Sequence, residues 1–332
     1  MTPHPARSSS EPLRVGRVRL HPLTEIEHLA VEPSEFFPHF PVDDHADAWF
    51  LDEPYRDRRT GRLVLTIRAY LAVLPGRVVL IDCGVGNAKA RVRPEFDGLG
   101  TEWLDGLARA GVTPEDVDTV VLSHPHVDHV GWATRRDGDA WRPTFPNAAY
   151  LVSDEEVVYW RSAAGVAAMR RTGNYMADSI DPLESAGLLS TADPSSVLPA
   201  QIMVSDLPEH TPGNRIVRLV DGASEAVLSG DVLHHPIQCF DPRINSRYCC
   251  DSPAAAVARR RALSYMADRQ VPPLPAHFPG GGGARRARGR RLPADRPGPL
   301  RVRRQQIGIP AGSGPTSGLA RNERRRHPGT RT

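Results

Sequence analysis

From Val120 to Trp132 the chain reads VVLSHPHVDHVGW, a hydrophobic strand that runs directly into His124, His126, Asp128 and His129. In extended backbone alternate side chains point the same way, so His124 and His126 can grip one ion while the following turn presents Asp128 and His129 to a second. Neutral imidazole and carboxylate suit Zn²⁺, with Fe or Mn also compatible. A single histidine at a strand end is ordinarily satisfied by water or backbone, but four ligand-type residues in six positions are not explained that way. Three more stand beside strand and turn signals: His210 in EHTPGN, Asp231 in VLSGD and His277 in PAHFPG. Any fold for this chain must gather seven side chains spread over some 150 positions.

The rest of the chain supplies a body that can do so. At 332 residues and 40% hydrophobic content it can build a sizeable core. Residues 1–60, rich in Pro, His and acids, read as an irregular lead-in over the body, with 33–50 as a cover for the site. RLVLTIRAYLAVL (62–74) and RVVLID (77–82) flank Pro75-Gly76 and predict a hairpin. Residues 100–112 carry helical spacing and 118–123 return as a buried strand. A strand at 148–153 leads into a helix over 154–162, with Ser153 and Glu156 spaced as a capping box. Further strands are expected at 201–205, 215–220 and 225–230. A helix is expected over 251–270, with Ser252 as N-cap and Pro253 at its first position, then a last strand at 271–277. This pattern predicts an α+β fold of two packed mixed sheets with helices on the outer faces. It divides the chain into the lead-in 1–60, a catalytic domain 61–280 and a tail 281–332.

Charge and composition narrow the partners. The net +3 hides an asymmetry: 281–332 hold 14 arginines against Asp295 and Glu323, a net +12, while 1–280 carry −9. An acidic body argues against a nucleic-acid-binding core, which leaves only the tail for such a partner. The tail, rich in Arg, Gly and Pro, is expected to be disordered; out-of-frame translation of a GC-rich gene explains it first, a functional basic arm second, an inert extension third. No apolar run approaches the length of a membrane span and the N-terminus has no apolar signal region, so a cytoplasmic location is expected. Cys83, Cys239, Cys249 and Cys250 lack zinc-ribbon spacing and read as ordinary thiols. A homodimer is an open expectation.

In order, the segments resemble the HxHxDH, GHTPGH, GD and closing-His motifs of metallo-β-lactamase-fold hydrolases, and IDCGVGN (81–87) resembles that family's early D-x-G turn. The resemblance spans about residues 60–280 and implies a four-layer αβ/βα sandwich. It further implies that His124, His126 and His210 hold one metal, Asp128, His129 and His277 the other, with Asp231 bridging. Two divalent cations, zinc foremost, would share a bridging hydroxide, and Asp128 or Asp231 would orient it and move its proton. Asp82 would order the metal-bound histidines or merely cap a turn. His234 and His235 would line the pocket, each read by itself as a non-ligand. The chain departs from the pattern at Glu209 and Asn214, where a supporting His is lost, and after HFPG.

GVTPEDVDTVVLSHPHVDHVGW, PTFPNAAYLVSDEEVVYW and DVLHHPIQ are most similar to the branch holding N-acyl-homoserine lactonases and methyl-parathion-hydrolase-like enzymes. The expected substrate is a small lactone, ester or phosphotriester, with Phe36, Phe37, Trp132, Phe145 and Trp160 as candidate pocket aromatics or core packing. A glyoxalase-II-like thioesterase and a mono-iron persulfide dioxygenase are the alternatives on the same fold; an impaired remnant that binds nucleic acid through its tail is the alternative of another class.

Overall fold

The computed structural model describes residues 12–40, 48–208 and 210–280. Its strands are β1 (Leu13–Val15), β2 (Val18–Val31), β3 (Leu63–Leu74), β4 (Arg77–Ile81), β5 (Thr119–Val121), β6 (Thr134–Asp137), β7 (Ala140–Pro143), β8 (Ala149–Leu151), β9 (Leu189–Ser190), β10 (Ile202–Asp206), β11 (Arg215–Asp221) and β12 (Ser224–Leu228). One mixed sheet runs β1-β2-β3-β4-β5-β8-β9, antiparallel as far as β4 and parallel beyond it; a second, antiparallel, runs β10-β11-β12. β6 and β7 form a separate hairpin.

β3 reads as a nearly unbroken apolar run because both of its faces are buried. Tyr70 and Ala72 face the second sheet, packing with Val79, Val121, Val217, Leu219 and Leu228. Ala69 and Leu71 face the other way, into a core closed by Leu107, Trp160 and Leu183 from helices. The outer face of the small sheet, Ile216 and Val227, is covered by Ala262 and Met266 of helix Ser252–Asp268. Helix, sheet, sheet and helix are the four layers expected.

Several local expectations differ from the structure. The lead-in is not irregular throughout: β2 is a fourteen-residue strand paired with β3, while residues 52–60 run through turns with one isolated bridge. Two register shifts, between Thr24 and Ile26 and between Ile26 and Leu29, break the alternation that would have revealed it. The helix expected over 100–112 shrinks to Asp105–Arg109. Ser153 caps nothing with its side chain, because its hydroxyl donates to Glu155 and Glu156 turns into the core. The last helix is capped by Asp251, which accepts from Ala254 N at 2.9 Å, and not by Ser252. The strand expected at 271–277 is reduced to one bridge, Val227 with Pro273, since Pro272, Pro273 and Pro275 have no N–H to give a ladder. Residues 41–47 of the expected cover and the tail 281–332 lie outside the described residues.

Two loops are laced together beneath the clustered histidines. Cys83 N donates to His129 O, Trp132 N to Cys83 O and Gly131 N to Gly84 O, each at 2.7 Å. Glu25, from β2, accepts from the backbone N–H groups of Val85 and Gly86 and from the Trp132 indole. A Cβ at Gly131 would stand 1.7 Å from Val85 O, where only a hydrogen fits. Gly131→Ala is therefore expected to cost about 3 kcal/mol or more, against about 0.5 kcal/mol or less for Gly100→Ala, where a Cβ meets nothing within 4 Å. Denaturant unfolding of the two variants measures the difference.

Candidate metal centre

The site begins where β5 ends. Asp82 sits in left-handed backbone (φ 61°), an uncommon conformation for a non-glycine residue, and its carboxylate orders the segment that leaves β5. It accepts from Ser123 N at 2.8 Å and Ser123 Oγ at 2.9 Å, and its Oδ2 lies 2.8 Å from His129 Nδ1. With its proton committed to Asp82, Ser123 Oγ can only accept from His124 Nδ1, 3.0 Å away. His277 Nδ1 faces the carbonyl of Thr66 at 2.8 Å. With Nδ1 engaged by an outer partner, each of these three rings turns its Nε2 inward.

Those inward atoms converge on Asp231. Its Oδ1 lies 2.7 Å from His277 Nε2 and 3.0 Å from His129 Nε2; its Oδ2 lies 3.2 Å from His210 Nε2 and 3.5 Å from His124 Nε2. His126 Nδ1 stands 2.8 Å from His124 Nε2 and 3.0 Å from His210 Nε2. Asp128 approaches His129 and His277, both at 3.9 Å. The ligand atoms of His124, His126, His210 and Asp231 lie within 4.8 Å of one another, as do those of Asp128, His129 and His277. All seven residues singled out from the sequence meet here.

The donor set fits metal ions. Nitrogens of neighbouring imidazoles face one another at 2.8–3.0 Å, and the 3.0 Å approach of buried His129 Nε2 to Asp231 Oδ1 lacks hydrogen-bond geometry. Burial, with neighbouring His129 in one case and His124 and His210 in the other, holds His124 and His126 well below the usual imidazole range. Burial also opposes a proton on His129, but Asp231, Asp82 and Asp128 outweigh it and push that ring well up. His210 is pushed up to about 9, burial being outweighed by Asp231 and Cys249. Burial would raise Asp231, yet His129, His277 and His234 hold it well below the carboxylate range. The carboxylates thus draw positive charge into the cluster, a role that cations would fill.

The loop bearing His210 is anchored by a residue whose role the sequence hides. Glu156 accepts from Gly213 N at 2.7 Å, from Trp160 Nε1 at 2.6 Å and from the Thr211 hydroxyl. Asn214, where the motif has His, is fully buried and donates to Leu207 O at 3.1 Å, closing the same loop; Glu209 lies outside the described residues. Arg259 of the last helix reaches Val232 O, beside Asp231, at 2.8 Å, and Pro242 O and Ile244 O at 2.7 and 2.9 Å. His234 stands nearer the centre than expected, its Nε2 3.2 Å from Asp231 Oδ2, in a further group with Asp231 and His277. His235 is satisfied in the core by Tyr55 O and Ile237 N. Of the candidate aromatics, Phe36 and Trp160 line the cavity beside the centre, while Phe37, Trp132 and Phe145 are core.

Residues 63–296 match the family described as the metallo-beta-lactamase superfamily. The chain belongs to this superfamily. As a member it is a hydrolase, and the fold implies divalent metal ions. A ribonuclease of Thermus thermophilus, TTHA0252, is 32% identical over 95 residues, 28% of this chain and 19% of that protein, so the match spans a small part of the relative. Among solved structures, the hydrolase AbOPH aligns at 24% identity with TM-score 0.67, and AidC, a dizinc quorum-quenching lactonase, at 23% with TM-score 0.68; each alignment covers 82% of this chain and 91% of the other. A probable metal-dependent hydrolase from Staphylococcus aureus aligns at 19% identity with TM-score 0.61, over 80% and 91%. These structures share the fold. No helix among the described residues is long and apolar enough to cross a membrane.

Zinc added to chelator-stripped protein is expected to raise stability by about 2.7 kcal/mol per site when free metal is hundredfold above Kd. Thermal melts with and without zinc check this; an unmoved midpoint contradicts metal binding to the folded state.

Proposed function

We propose that the protein is a di-metal hydrolase, with zinc the expected ion, acting on a small lactone, ester or phosphotriester. The observation that carries this reading is the Asp231 carboxylate, whose two oxygens address two different sets of ligand atoms. His124, His126 and His210 would hold one cation, Asp128, His129 and His277 the other, and Asp231 would touch both. When bound, such a pair supplies Lewis acidity for the scissile carbonyl or phosphoryl group and a nucleophilic water ionised near neutral pH.

The chain's own groups do the rest. Asp128, whose side chain is 15% exposed against 5% for Asp231, is the more exposed of these two carboxylates lining the cavity. Asp128, with Asp231 as the other candidate, would accept the proton of the attacking water and pass it to the leaving group. The cavity of about 360 Å³ has Leu29, Phe36, Leu65, Ile67 and Phe96 in its wall, an apolar stretch that favours an apolar substituent. Tyr175, also lining it, is buried with a hydroxyl that lacks a partner among the described residues. A substrate acceptor would satisfy that hydroxyl.

Metal analysis with a panel of lactones, aryl esters, phosphotriesters and a glutathione thioester tests the proposal. About two equivalents of zinc are expected, with lactone or ester turnover falling about 10²- to 10⁴-fold in Asp128→Ala. Preferential thioester turnover would move the substrate class, and turnover unchanged in Asp128→Ala would overturn the assigned role.

A further inference from the structure

Three of the inward imidazoles have an oxygen partner at Nδ1: Ser123 Oγ for His124, Asp82 for His129, Thr66 O for His277. At His210 the partner is sulfur, with Cys249 Sγ lying 3.5 Å from Nδ1. Ser246 Oγ stands 3.6 Å from the same sulfur, and Cys250 N donates to His210 O at 2.8 Å. One short loop therefore grips both the ring and the backbone of His210. That loop is itself fixed, since Arg259 binds the carbonyls of Pro242 and Ile244 and the Asn245 side chain.

We propose that Cys249 is the positioning residue for His210, its sulfur accepting a hydrogen bond from Nδ1–H so that Nε2 faces the cation shared with His124 and His126. The inference rests on reading the cluster as a metal centre. His210 is only 3% exposed, so an Nδ1–H without a partner would be a buried orphan. A ring turned over to relieve it would present carbon, not nitrogen, to the ion. Partners of this kind fix tautomer and orientation, and losing one weakens metal affinity by about 10- to 100-fold. Cys250 has a different setting, its sulfur against Tyr159 Oη at 3.4 Å, and serves as the internal comparison.

The test is zinc affinity of the full-length, chelator-stripped protein by competition with a chromophoric chelator, for wild type, Cys249→Ala, Cys249→Val, Cys249→Ser and Cys250→Ser. Cys249→Ala, or Cys249→Val if the smaller side chain prevents folding, is expected to weaken one of the two binding steps about 10- to 100-fold and to leave the other within about threefold. Cys249→Ser, which keeps a polar atom, should recover most of the loss, and Cys250→Ser should match wild type. With cobalt in place of zinc, the visible spectrum should change in Cys249→Ala and not in Cys250→Ser. The proposal is overturned if Cys249→Ala and Cys249→Val bind both ions as wild type does, or if Cys249→Ser loses as much as Cys249→Ala, which would mark a packing role. If wild type takes up no zinc, the metal-centre reading fails first and the inference falls with it, a result distinguishable from the other two.

Discussion

A carboxylate buried among imidazoles is the constraint on which this molecule turns. Asp231 lies within 3.5 Å of ring nitrogens from His124, His129, His210, His234 and His277, contributed by segments more than 150 residues apart. Such a cluster is stable only if its charges are matched, because desolvating an unpaired ion or an unpaired lone pair is costly. The outer partners settle how that match is made. By engaging Nδ1 of His124, His129 and His277, Ser123, Asp82 and Thr66 commit those rings to turn Nε2 to the centre. A site so arranged is built for cations.

The fold supplies rigidity for this purpose. Asp82 comes directly after β4, His124 after β5 and Asp231 after β12, while His277 sits where the chain returns to Thr66 of β3. The ligands thus come from strand ends and the loops after them, fixed by sheet pairing on one side and by buried polar anchors on the other. Glu25, Glu156 and Arg259 are such anchors, each satisfied by several hydrogen bonds and each tying a site loop to a distant element. Their cost of burial is met by those bonds, and in return the loops have one arrangement.

The range of each interaction decides how legible it is in the sequence. The ligand run from His124 to His129 is local, and the β3–β4 hairpin announces itself by two apolar runs around Pro75-Gly76. The strand β2 is hidden because its bulges scramble the alternation, and a closing strand is suggested at 271–277 because apolar composition does not show that Pro272, Pro273 and Pro275 withhold their N–H groups. Glu156 looks like a capping-box acid three residues after Ser153; its partners Thr211 and Gly213 are over fifty residues away, and nothing local signals them. Cys249 is invisible for the same reason, standing 39 positions from His210 in sequence and 3.5 Å from it in space.

X-ray absorption at the zinc edge of the metal-loaded protein addresses the central claim most directly. A zinc pair held by these side chains gives a shell of nitrogen and oxygen near 2.0–2.1 Å, about the usual values for zinc with His and carboxylate, and a second metal scatterer at about 3.5–4 Å. A sulfur shell at about 2.3 Å, or the absence of any metal–metal scattering in protein carrying two equivalents, would contradict it.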